Sequence, residues 1–149
     1  MVQDEFHNPP DDELRVIYED VSVIAVVGAS ENPKKAAFSI PRFLQSLGYR
    51  IVPVNPKGGE ILGERAYPSL DDVDVPIDVV DVFRPAPETP DIARQAVKAG
   101  ARVLWLQEGI VSDEAARIAR DGGLTAVMGV CMGATARRLG ITPRDPDRG

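Results

Sequence analysis

The sequence predicts a three-layer α/β sandwich around a mainly parallel sheet. Three observations carry this: short apolar, β-branched runs without polar alternation, amphipathic segments of helical length between them, and glycine- or proline-bearing turns at the junctions. A length of 149 residues suits one such domain.

Asn8-Pro9-Pro10 interrupts regular structure, and residues 11–18 then read as a short helix that packs through Leu14 and Ile17. Residues 22–27 (SVIAVV) form a strand buried on both faces and lead into Gly28-Ala29-Ser30. Over 36–47, Phe38, Phe43, Leu44 and Leu47 make a helical stripe, although Pro41 removes a donor and predicts a kink. Gly48 stops that helix, and the strand at 49–54 closes on Asn55-Pro56-Lys57-Gly58-Gly59. A minor strand is expected at Ile61-Leu62. The pattern then repeats: strand 78–83, helix 88–99 after three prolines, and strand 103–106. Helix 112–121, with Asp113 and Glu114 in its first turn, strand 124–128 and a helix at 134–139 complete the series. Right-handed crossovers predict three strands on one side of the first and two on the other. This divides the chain into an acidic leader or short helix at 1–20, a domain at 21–140 and a polar tail at 141–149.

Composition narrows the function. Seventeen basic against twenty-three acidic residues leave a net charge of −6, which argues against a general nucleic-acid binder. One cysteine makes no internal disulfide, and one histidine, His7 in the polar leader, supplies no multi-histidine metal site and little scope for histidine-base catalysis. No apolar run reaches membrane-spanning length, since the longest, IAVVGA, is strand-sized. Seven acids against Arg15 alone in the first twenty residues oppose a signal-peptide start, so a cytoplasmic protein without a membrane partner is expected.

In parallel α/β sheets ligands collect beyond the carboxyl ends of the strands. Those ends here carry Gly28-Ala29-Ser30, Asn55-Pro56-Lys57, Phe83-Arg84-Pro85, Gln107-Glu108-Gly109 and Gly129-Val130-Cys131. Each cluster alone is compatible with ordinary turn chemistry; together they describe the rim of a groove. A dinucleotide fingerprint needs G-x-G-x-x-G, whereas Gly28-Ala29-Ser30-Glu31-Asn32-Pro33 keeps only the first glycine. Backbone donors at a helix start still suit a pyrophosphate, and Ser30, Lys34 and Lys35 add a hydroxyl and two cations. The second strand ends without the carboxylate that a NAD ribose requires, and Lys57 favours a phosphorylated ribose. NADP and coenzyme A both carry one.

The segments IAVVGAS (24–30), GYRIVPVNPKG (48–58), LGERAYPSL (62–70), VVDVFRP (79–85) and WLQEGIVSDEAARIA (105–119) carry a further reading. In this order and spacing the chain resembles the small stand-alone CoA-binding proteins. Their Rossmann-type fold is similar to the N-terminal domain of the succinyl-CoA synthetase alpha subunit. The resemblance implies that Gly28, Ala29 and Ser30 shape a phosphate loop, with Lys35 at a commonly basic position. Asn55, Pro56 and Lys57 would form the adenosine side, Phe83 and Arg84 the next wall, and Gln107 and Glu108 the strand end facing the cofactor arm. Arg84 is equally readable as a salt-bridge residue, and Trp105 reads as core rather than as a stacking platform.

The chain also departs from its relatives. They often carry Asp-Arg-Cys with a histidine a few positions on, whereas Cys131 lacks these neighbours and reads as either a core thiol or a reactive group near the ligand. The resemblance also implies that the synthetases use a second domain bearing a phosphorylated histidine, for which this sequence has no counterpart. Glu108 and Asp81 are carboxylates near the rim, but a base role requires a raised pKa. The reading is therefore a non-catalytic binder of coenzyme A or an acyl-CoA, with a homodimer or partner protein left open. The alternatives are an NADP-type oxidoreductase fragment or redox sensor, and an interaction module that has lost its cofactor.

Overall fold

A computed structural model describes residues 6–144; residues 1–5 of the acidic leader and 145–149 of the polar tail lie outside the described residues. Strand β1 (Val23–Val27) pairs in parallel with β2 (Arg50–Val54) on one flank and with β5 (Val79–Val82) on the other. Strands β6 (Val103–Glu108) and β7 (Thr125–Gly129) continue beyond β5, giving one sheet in the order β2-β1-β5-β6-β7. These strands alternate between two apolar faces. Ile24, Val26, Val79, Trp105 and Val127 face α1 (Asp11–Asp20), α2 (Ala36–Ser46) and α5 (Met132–Arg138). Ala25, Val80, Val82, Leu104 and Leu106 face α3 (Thr89–Lys98) and α4 (Asp113–Asp121). A strand covered on both sides gains by being apolar throughout, which explains the uninterrupted runs.

One expectation fails. The sheet has three strands beyond β1 on one flank but a single strand on the other, not two. Residues near Ile61 form instead a small antiparallel hairpin, β3 (Glu60–Ile61) with β4 (Glu64–Arg65). Its two turn residues, Leu62 and Gly63, both take positive φ (55° and 75°), the geometry that closes a two-residue hairpin. The ladder therefore closes locally rather than joining the main sheet. The hairpin's exit is moored to β2, with Tyr67 N–H donating to Pro53 and Asn55 N–H donating to Tyr67 (3.0 and 2.9 Å).

The last helix begins at Met132 rather than Ala134, because Cys131 takes the N-cap position and its Sγ accepts from Ala134 N–H at 3.4 Å. Strand β6 extends to Glu108, beyond the expected Leu106. Helix α2 runs continuously through Pro41. A proline there leaves the Ala37 carbonyl without its intrahelical donor. Ser30 N–H supplies one at 3.2 Å, tying the loop after β1 to the body of α2.

Both ends of the described chain are docked. Asn8 does more than precede a break, since its side-chain amide donates to Met128 O and accepts from Met128 N, both at 2.9 Å, so it satisfies part of the β7 edge. Arg144 donates to the carbonyls of Tyr18 and Glu19 (3.0 and 3.1 Å) and lies over the Tyr49 ring.

Helices α3 and α4 meet at Gly122, where an added Cβ would lie 2.5 Å from Val97 Cγ2 and 3.1 Å from its Cβ. Val97 is stiff at χ1 and the site is filled. Gly122→Ala is expected to cost about 1–3 kcal/mol by overpacking, measured by urea denaturation; an unchanged midpoint would show that α4 shifts freely.

Candidate functional site

All five strands of the sheet are parallel, so their exit loops share one edge, and β1 lies where the chain reverses its progress across the sheet. In folds of this kind ligands gather at that switch point, between the loops leaving β1 and β5, which here pack closely against each other. Gly28 begins the first loop at φ +88°. A Cβ on it would stand 2.9 Å from Arg84 Cδ and 3.1 Å from the Phe83 carbonyl, so both backbone conformation and space call for glycine. Gly28 N–H donates to Val54 O at 3.0 Å, and Asn55 Nδ2 donates to Ala29 O at 2.8 Å. Asn55 is thus used twice, because its Oδ1 also accepts from Lys57 N–H (2.8 Å) to close the turn after β2. Together, Gly28, Ala29, Ser30, Asn55, Pro56 and Lys57 form one connected rim.

Ser30 Oγ accepts from Asn32 N–H at 3.0 Å, and Asn32 Oδ1 accepts from Lys34 N–H at 3.0 Å. Two side-chain turns therefore shape the approach to α2, and Lys35 occupies its N-cap position. Lys34, Lys35 and Lys57 are exposed. Arg84 is also exposed, and its guanidinium makes two bonds to Glu88 (2.8 and 3.2 Å). The structural ion pair that the sequence allowed for Arg84 is therefore present. Phe83 is half-buried behind it.

The two residues at the end of β6 diverge. Glu108 is exposed, whereas Gln107 is 4% exposed and points into the protein. Gln107 Nε2 donates to Asp81 Oδ1, and its Oε1 accepts from Met132 N–H at 3.4 Å. Asp81 is completely buried, and among the described residues its Oδ2 has no hydrogen-bond partner. Burial pushes the Asp81 carboxyl up to about 7, against a smaller opposing effect of the Gln107 bond. Sequence placed Asp81 among the rim carboxylates; its burial depends on Val26 and Trp105 standing beside it in the register of the sheet. Trp105 is core, as read, and donates from Nε1 to Val130 O at 2.8 Å. Cys131 is half-buried. Among the described residues no cluster of three or more His, Cys, Asp or Glu side chains is placed to hold a metal ion, and no helix is long and apolar enough to cross a membrane.

Residues 22–137 match the family described as CoA binding domain. The chain belongs to the CoA-binding domain family. This makes coenzyme A or an acyl-CoA its ligand class. An uncharacterized protein of Bacillus subtilis, YneT, is 38% identical over 125 residues, which cover 84% of this chain and 93% of YneT. The ADP-forming acetate–CoA ligase of Methanocaldococcus jannaschii is 34% identical over 92 residues, but those span 62% of this chain and only 13% of the ligase. A hypothetical protein from Pyrococcus horikoshii superposes with a TM-score of 0.85 at 36% identity, covering 92% of this chain and 99% of that one. The CoA-binding domain is therefore related to the ADP-forming acetyl-CoA synthetases rather than specifically to succinyl-CoA synthetase, and it matches only a small portion of those larger enzymes.

The raised Asp81 carboxyl has a sign that can be checked. Between an unfolded value near 3.8 and a folded value of about 7, the folded domain holds a proton that the unfolded chain has lost, so stability falls as pH rises through this window. Relative to Asp81→Asn, which does not titrate, wild type is expected to lose roughly 4 kcal/mol between pH 4 and pH 8. Denaturant melts of both proteins across that range test this, and parallel curves would refute it.

Proposed function

We propose that this domain is a non-catalytic holder of coenzyme A or an acyl-CoA at the switch point between the loops leaving β1 and β5. The observation that carries the reading is the glycine-dependent approach of Gly28 to Arg84 and Phe83, beside a loop whose backbone conformation is held from three sides. Such a loop keeps its shape without the later glycines of a dinucleotide fingerprint; with Gly28 N–H and Ser30 N–H committed to Val54 O and Ala37 O, it offers a pyrophosphate the Ser30 hydroxyl proton and the nearby charge of Lys34 and Lys35.

In this reading Gly28, Ala29 and Ser30 meet the phosphates, and Lys35 supplies positive charge beside them. Asn55, Pro56 and Lys57 line the adenosine side, and Phe83 and Arg84 the opposite wall. Arg84 reaches an anionic ligand by exchanging the exposed Glu88 for it, a replacement that costs little because exposed ion pairs are weak. Glu108 faces the solvent side of the groove, where the cofactor arm leaves. The match of residues 22–137 to the CoA-binding domain family supports coenzyme A as the ligand of these loops. NADP remains the second reading, favoured by the absence of a carboxylate at the end of β2 and the presence of Lys57.

Calorimetric titration with CoA, dephospho-CoA, NADP and NAD at one ionic strength separates the readings. CoA is expected to bind most tightly; a preference for NAD would overturn the ribose-phosphate argument, and no binding at millimolar ligand would favour an interaction module. Lys35→Ala is expected to weaken CoA about five- to tenfold, on the order of 1 kcal/mol. A smaller loss for dephospho-CoA would place Lys35 at the ribose phosphate, and equal losses would place it at the pyrophosphate.

A further inference from the structure

The loop leaving β7 is held from beneath by three buried side chains drawn from separate parts of the fold. Trp105 Nε1–H donates to Val130 O at 2.8 Å, Tyr18 O–H donates to Met132 O at 2.6 Å, and Met132 N–H donates to Gln107 Oε1 at 3.4 Å. Of the three, Gln107 alone ends in a carboxamide, whose rotation exchanges its oxygen and nitrogen. Presented with Nε2, Met132 N–H would meet a donor and the contact would fail. The Asp81 carboxyl decides the sense, because Oδ1 accepts from Nε2 and leaves Oε1 for Met132.

We propose that Asp81 is a positioning residue of the cofactor groove: by orienting Gln107 it fixes the backbone of residues 130–132 as a further wall, on the β7 side of the carboxyl edge that carries the groove. The proposal rests on the CoA reading above, and it reassigns Gln107 from touching the cofactor to holding the wall. Folding stability gives no reason for a carboxyl here. The other residues of β5 are Val79, Val80 and Val82, and a fourth valine would avoid burying an acid with an unpartnered Oδ2. The cost falls on a group whose only hydrogen bond among the described residues leads, through one amide, to the loop at the ligand edge.

The chain contains one cysteine, and Cys131 lies within this loop, so its alkylation reports the wall directly without ligand. Iodoacetamide labelling and CoA titration are to be run on wild type, Asp81→Val, Asp81→Asn and Gln107→Met. Asp81→Val and Gln107→Met are expected to speed labelling at least fivefold and to weaken CoA at least tenfold. Asp81→Asn, whose carboxamide can turn either its oxygen or its nitrogen to Gln107, is expected to fall between wild type and Asp81→Val in both. Unchanged labelling and affinity in Asp81→Val would overturn the proposal. If Asp81→Val does not fold, Gln107→Met decides by the same two readouts. A wild type that fails to bind CoA would defeat the functional reading instead, while the labelling series still measures the control of the wall by Asp81.

Discussion

The backbone between Gly28 and Ser30 is the point on which the rest of the site depends. It is tied to β2 through Gly28 N–H and Val54 O, to the next turn through Ala29 O and Asn55, and to α2 through Ser30 N–H and Ala37 O. The last of these exists because Pro41 has no hydrogen to give. A residue that weakens a helix in isolation thus frees a carbonyl, and the free carbonyl anchors the ligand loop. Three ties to separate elements define the position of that loop before any ligand arrives, which lowers the ordering cost of binding.

Opposite tendencies are separated in space. The protein is acidic overall, yet Lys34, Lys35, Lys57 and Arg84 stand in loops at the carboxyl edge of the sheet. Acidic residues elsewhere meet bases of their own, as in Asp20 with Arg102 and Asp11 with Arg138. The exposed pairs add little stability, and the Arg138 bond holds Asp11 below the usual carboxylate range. Asp81 is the reverse case, with a large effect, no opposing charge and a position beneath the loops rather than among them.

Much of the loop geometry at the candidate site was legible because turn chemistry is local. Gly28, Asn55 and Lys57 stand in short motifs whose conformational and charge preferences follow from the residues themselves. Arg84 remained divided between two roles, and its pairing with Glu88 depends on a 3-10 turn at Ala86–Glu88 that brings the two side chains together. Gln107 and Glu108 looked alike as neighbouring polar residues on a strand end. Adjacent strand residues point to opposite faces, so one became buried and the other exposed. The bonds from Trp105 and Tyr18 to the loop after β7 join residues 25 and 114 positions apart, and no local pattern announces them.

The sequence alone determined the α/β class, the parallel sheet, and the positions of its strands and helices to within a few residues. These follow from burial on two faces and from glycine and proline at the turns, which act over short stretches of chain. Tertiary structure decided how many strands join the sheet, where Arg84 finds its partner, and that Asp81 is buried with its carboxyl accepting from Gln107. Such outcomes depend on which distant segments share a register or a face. The same chain of events gives Gly28 its full meaning: sequence marked a turn, and packing against Arg84 and Phe83 made it a close approach that a side chain would obstruct.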